Sequence, residues 1–217
     1  MMKFSNETLS VLKNFSQINP SVMFKPGQTI RTISPQKTVM AAATVGETFN
    51  QSAGIYDVSR FLATLSLFDE PDVNFGESQF NIKGGKRTLK YTYTAENMIV
   101  TPPERDIPVP DPEATLNISW DDLESVVRAA GVLGLPEIAF NAEGDTISLA
   151  AVDSKNPTAD NYSITVAEGG DYGNFRMIIK VDNLKLMPTN YEVALSSKGM
   201  AHFKSDKVQY WIAIESR

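Results

Sequence analysis

Few residues of this chain could act as a nucleophile, a general acid or a metal ligand. There is one histidine, His202 in Met-Ala-His-Phe, and there is no cysteine. Thiol nucleophiles, disulfides and zinc–thiolate centres are thereby excluded. A lone histidine beside strand-like residues, with no Ser or Cys motif around it, reads as structural. No G-x-S-x-G elbow occurs. Lys83-Gly-Gly-Lys-Arg-Thr88 hints at a phosphate-binding loop but fails as one. A Walker motif needs Gly where Phe80 stands and Ser or Thr where Arg87 stands. The segment reads better as a hairpin turn. Glu104-Arg-Asp106 and Asp121-Asp122 show no metal-ligand or paired-acid pattern and suit loop and capping roles. No catalysis, metal or cofactor is expected.

What remains is charge. The 217 residues carry a formal net charge of −6, with 42% hydrophobic and 21% charged residues. That is the balance of a soluble globular protein with a real core. It argues against gripping nucleic acid by overall charge, though a basic patch on an acidic body is still allowed. No apolar run reaches the roughly 20 residues of a membrane span, and MMKFSNETLS has no signal-peptide core. A cytoplasmic protein without membrane contact is expected.

The cations that matter depend on the elements that carry them. Leu9, Leu12 and Phe15 share one face at helical spacing, and Leu123, Val126, Val127 and Ala130 share another. Ser119 with Asp122 resembles a capping box, and Gly131 is a stop signal. Each helix is followed by a proline and a strand–turn–strand pattern: Pro20-Ser-Val-Met-Phe with Gly27-Gln-Thr-Ile30, and Pro136-Glu-Ile-Ala-Phe with Gly144-Asp-Thr-Ile147. Deeper in each half, Asp57-Val-Ser-Arg60-Phe-Leu matches Asp182-Asn-Leu-Lys185-Leu-Met. Each is an acidic N-cap and a short helical turn, with strands after it. The order helix, strands, short helix, strands is therefore given twice. Between the copies runs TPPERDIPVPDP, with Pro102, Pro103, Pro108, Pro110 and Pro112. Proline fixes φ and lacks an N–H, so this connector should be stiff and extended. The expected division is domain 1 over 1–98, connector over 99–115 and domain 2 over 116–217, in an α+β fold with two short helices on antiparallel sheets in each domain.

Each of the four helices then offers one cation among small polar groups: Lys13, Arg60, Arg128 and Lys185. Side by side they would make a thin basic stripe that attracts duplex DNA without reading sequence. There is no aromatic platform for single-stranded bases and no base-reading helix.

On these residues the chain resembles the DNA sliding clamps, the polymerase processivity factors, and among them the trimeric clamps of T-even-type phages. The resemblance rests on Leu12-Lys13-Asn14-Phe15 with Ile18-Asn19, Ile55-Tyr56-Asp57 with Phe61-Leu62 and Leu65-Ser66-Leu67, Ile107-Pro108-Val109-Pro110, Tyr162-Ser163 with Gly170-Asp171-Tyr172, and Met187-Pro188-x-Asn190-Tyr191. It implies a homotrimeric ring whose helices line a hole for double-stranded DNA. It further implies a DNA polymerase tethered to the ring, a separate ATP-dependent clamp loader, and host-cell cytoplasm as the setting if the protein is viral. A role in late viral transcription is known in some members of the family.

Carried over by position, the hole-lining cations are Lys13, Arg60, Arg128 and Lys185, with Lys3 and Lys180 as near neighbours. The subunit interface falls on Thr88–Thr94 and Asn161–Ala167, with Leu89, Tyr91 and Tyr93 facing Tyr162, Ile164 and Val166. A pocket for partner tail peptides falls on Ile107 and Val109 of the connector, with Met40, Ile212 and Ile214 nearby. The competing reading is a structural or adaptor protein of tandem β-rich modules. A small hydrolase with an unrecognised site is the weaker third.

Overall fold

The computed structural model describes residues 2–215. The chain divides into two compact units that meet between Asp106 and Ile107, inside the proline run. Among the described residues no helix is long and apolar enough to cross a membrane.

Unit 1 begins with a capped helix. The Ser5 side chain accepts the N–H of Thr8, and α1 runs over Asn6–Phe15, burying Val11, Leu12 and Phe15. Strands β1 (Val22–Phe24), β2 (Gly27–Ile33), β3 (Val39–Phe49) and β4 (Ala53–Ile55) follow. β1 pairs antiparallel with β4, and β2 with β3. Asp57 then caps α2 (Val58–Leu65) by accepting the N–H of Arg60. β5 (Asp72–Phe75), β6 (Gln79–Gly84) and β7 (Arg87–Thr92) close the unit as an antiparallel three-stranded sheet. Met2 bridges to Val73 of β5 through two backbone hydrogen bonds of 3.0 and 2.8 Å. The core is aromatic. Phe24 packs on Phe49 at 4.6 Å between ring centroids, and Phe80 lies 5.0 Å from Phe61 and 4.9 Å from Phe75. Offset and edge-on contacts of this kind add to plain area burial.

Unit 2 repeats the plan. β8 (Ala114–Ile118) leads into α3 (Trp120–Leu133), whose N-cap Ser119 accepts the N–H of Asp122. β9 (Glu137–Val152) and β10 (Tyr162–Lys180) form a long antiparallel hairpin. β11 (Tyr191–Ser196), β12 (Met200–Lys204) and β13 (Val208–Ala213) add a sheet in the order β8, β11, β12, β13. The Met2 bridge in unit 1 thus takes the place that β8 holds beside β11.

Three elements differ from the sequence reading. The expected fourth helix is only a 3-10 turn, Val181–Asn183. Pro188 disfavours an α conformation at Met187, which leaves too few residues after Asp182 for a regular i to i−4 ladder. Helix α3 runs through Gly131 and stops at Gly134, which adopts φ 67°, a left-handed cap open to glycine at little cost. The expected turn at Gly144 is a kink inside continuous β9. Gly144 has φ 65° and faces Gly173, where the register with β10 slips.

Candidate nucleic-acid and assembly surfaces

The helix-borne cations are placed by the stripes that bury the opposite faces. Leu12 and Phe15 pin α1 to the core, which leaves Lys13 exposed in its last turn. Phe61 and Leu65 do the same for α2 and leave Arg60 exposed. The two helices pack side by side. A groove of about 830 Å³ runs past Leu9, Lys13, Leu62, Leu65 and Phe68, and Lys3 lies on its rim. In unit 2, Leu123, Val126 and Ala130 are buried, and Arg128 is exposed on α3. A smaller groove of about 330 Å³ joins Arg128 to Trp120, Leu184 and Leu186, with half-buried Lys185 between the two leucines in sequence.

The cations are not electrostatically equal. Lys3 Nζ lies 2.8 Å from Glu70 and Lys180 Nζ 3.0 Å from Glu215. The hydrogen bond from Lys3 lowers the pKa of Glu70 and raises that of Lys3. Lys13, Arg60 and Arg128 make no ion pair among the described residues.

Two strand edges are open. Among the described residues β7 pairs with no strand but β6 and β10 with no strand but β9, although near its end β10 takes one further backbone hydrogen bond, from Glu215 N–H to the Ile178 carbonyl at 2.8 Å. Leu89 and Tyr91 are half-buried on one face of β7, and Tyr93 continues that face just beyond it. Tyr91 donates its hydroxyl to the Asp57 carbonyl at 3.2 Å, and Tyr93 to that of Gly76 at 3.1 Å. Burial raises the pKa of both phenols. On β10, Tyr162 is exposed, and Ile164 and Val166 are half-buried.

The connector's second half is tied to unit 2. Trp211 Nε1 donates to the Ile107 carbonyl at 2.8 Å, and Ser196 donates its hydroxyl to the Pro110 carbonyl. Lys198 pairs with Asp111, and Ser197 donates its N–H to Glu113 at 2.8 Å. Burial pushes the Glu113 carboxyl up, but the hydrogen bonds from Ser197 outweigh it and hold the pKa below the usual value. Ile107, Val109 and Ile214 are half-buried, and Ile212 is buried in β13. Met40 is buried in β3 of unit 1. The connector's first half lines a separate cleft of about 580 Å³ in unit 1, where Thr101–Glu104 face Met23, Pro26, Thr29 and Arg31.

His202 stacks on Trp211, with ring centroids 4.7 Å apart, and its Nε2 lies 3.0 Å from Gln209 Oε1. The Lys83–Thr88 segment forms the β6–β7 hairpin, with Gly84 opposite Arg87. Two exposed features escaped the sequence reading. One is the concentration of Lys83, Lys86, Arg87 and Lys90 on that hairpin. The other is the apolar tip of α3, where Val132 is 81% and Leu133 41% exposed. The signal for the second was Gly-Val-Leu-Gly, an apolar pair that falls after the buried stripe has ended.

Two successive units of one plan, each with helices and antiparallel sheets and joined by a proline-rich connector, define a DNA-clamp fold. Proliferating cell nuclear antigen of A. fulgidus, solved with the C-terminal region of FEN-1, superposes with a TM-score of 0.72 at 15% identity, over 96% of this chain and 95% of that one. Residues 5–100 match the model of the DNA polymerase processivity factor, and residues 115–216 that of the gp45 sliding clamp, C terminal. The sliding clamp of Enterobacteria phage T4 is 31% identical over 99% of this chain and 97% of its own length, and that of Escherichia phage RB69 is 30% identical with the same coverage. The chain belongs to the phage sliding-clamp family of DNA polymerase processivity factors.

Proposed function

We propose that three copies of this chain close into a ring around duplex DNA and tether a replicative polymerase to it. The observation that carries this reading is a set of exposed helical cations in both units of an acidic chain: Lys13 and Arg60 on α1 and α2 of unit 1 and Arg128 on α3 of unit 2, with half-buried Lys185 just past the 3-10 turn of unit 2. A ring that encloses DNA topologically needs no tight grip. A few cations facing phosphates give weak contact without sequence preference, and a strongly basic lining would slow sliding.

Ring closure joins the open edge of β7 in one copy to that of β10 in the next. Open edges otherwise invite aggregation. Partner tails dock on unit 2 at Ile107 and Val109 of the connector, which Trp211 of β13 holds by the Ile107 carbonyl, with Ile212 and Ile214 as the further candidates. An ATP-dependent loader opens the ring, and the clamp itself catalyses nothing. It works in the cytoplasm of the infected cell, and a contribution to late viral transcription belongs to the same reading.

The test is mass and topology together. The expected mass in solution is three times 23.9 kDa. After loading, the protein should stay on circular or end-blocked duplex and run off linear duplex. Equal retention on both substrates overturns the sliding function.

A further inference from the structure

We propose that the groove of unit 2 between α3 and the segment after its 3-10 turn seats a sugar–phosphate unit of duplex DNA, with Trp120 as its uncharged donor. The proposal rests on the reading of α3 as a DNA-facing helix. It adds a contact that charge does not supply.

Trp120 is the first residue of α3, and its backbone N–H goes to Asn190 Oδ1 at 2.9 Å. That bond fastens the start of the helix to the chain just past Leu184 and Leu186, which form the other wall of the groove. Trp120 and Arg128 stand two turns apart and line the same groove, with Leu123 and Val127 between them. The chain has two tryptophans, and they use their donors differently. Trp211 is buried and gives its indole N–H to the Ile107 carbonyl. Trp120 is only half-buried, and its indole N–H reaches the surface with no acceptor among the described residues. An indole so placed has an apolar body against the protein and a donor left for something outside it.

An apolar floor with donors at two points fits a ligand that is apolar on one side and an acceptor on the other. Deoxyribose with its phosphate has that form. A free inorganic anion lacks the apolar face, and an apolar peptide lacks the anion. Glu124 lines the groove between Trp120 and Arg128, exposed and without an ion pair among the described residues. It repels phosphate and keeps the contact loose. A neutral N–H can position a phosphate without adding to the positive charge that would slow sliding. Unit 1 has a like arrangement. Asn6, the first residue of α1, lines the groove that Lys13 also lines. A neutral donor and a helix cation thus share a groove in each unit.

Acrylamide quenching reads the indole without using charge. Trp211 is 4% exposed, so the quenchable emission of the full chain belongs to Trp120. A short duplex oligonucleotide, added until a label on it shows saturation, should remove most of that quenching. Trp120→Phe keeps a ring on the groove and loses the donor. It should weaken duplex association about threefold or more and leave the slope of log affinity against log salt unchanged, because no cation is lost. Arg128→Ala should flatten that slope. Undiminished quenching at saturation overturns the proposal. So does shielding that appears on assembly before DNA is added, which would place Trp120 in a protein contact. A Trp120→Phe variant with unchanged affinity, or with a flattened slope, also overturns it. Failure of the ring reading shows separately, as equal retention of the parent protein on linear and circular duplex.

Discussion

Trp211 gives its indole N–H to the carbonyl of Ile107 at 2.8 Å. The indole is buried and needs an acceptor, and Ile107 lies in a segment whose prolines cannot pair with a strand. With the Ser196–Pro110, Lys198–Asp111 and Ser197–Glu113 contacts, this bond fastens residues 107–113 to unit 2. Stiffness from proline and fastening from unit 2 act on the same stretch of chain.

Trp211→Phe keeps most of the apolar area and removes the donor. The expected cost is about 1 kcal/mol, felt locally. Trypsin should cut at Arg105 faster than in the parent protein, with little change in the thermal midpoint. An unchanged cleavage rate would show that the indole bond does not hold the connector down.

Phe80 is fully buried and touches Phe61, Phe75 and Tyr93, with ring centroids 5.0, 4.9 and 4.7 Å away. Phe80→Ala removes the ring they share. Truncation of a packed aromatic costs on the order of 3–5 kcal/mol. Urea unfolding should register that loss in unit 1, and the disturbance should spread to β7, where Tyr91 and Tyr93 lean on the same ring.

Glu47 accepts the N–H of Ser5 and the hydroxyl of buried Thr8, and so ties the cap of α1 to β3. Burial pushes its carboxyl up, but these hydrogen bonds outweigh it and the pKa falls below 4.5. A carboxylate depressed in the folded state stabilises fully above its unfolded value, and the contribution disappears as pH drops through the folded value. Glu47→Gln should therefore lower stability most near neutral pH. The gap to the parent protein should close as unfolding is measured at pH values below about 4. A gap that stays constant would mean that ionisation of Glu47 is not what ties the helix.

Much of this architecture was legible because it is local. Asp57 and Ser119 each cap the helix expected after them, since a cap and its helix lie within four residues. The alternation of Leu89, Tyr91 and Tyr93 identified a strand with one apolar face. What periodicity cannot give is the neighbour. β8 pairs with β11 across more than seventy intervening residues, and Met2 finds Val73 in unit 1. The misread helix at Asp182 shows the complementary limit. A capping residue and a cation matched Asp57 and Arg60, but Pro188 decided the outcome. At the candidate site, Lys3 and Lys180 were candidates by position alone. That Glu70 and Glu215 engage them is a tertiary fact.

That difference separates the cations in their readiness to meet a phosphate. Lys13, Arg60 and Arg128 have no carboxylate partner within the described chain, whereas Lys3 and Lys180 do. A cation already engaged must give up that partner to meet a phosphate. Each phosphate contact adds about 0.9 to the slope of log affinity against log salt. Ala substitution at Lys13, Arg60 and Arg128 should each flatten the salt dependence of DNA association by up to that amount. Substitution at Lys3 or Lys180 should flatten it less. Combined replacement of Lys13, Arg60, Arg128 and Lys185 should lower loading and polymerase-dependent synthesis and leave the oligomer mass unchanged. Equal slopes for all variants would remove these helix faces from the DNA path, and a lost oligomer would move them into the subunit contact instead.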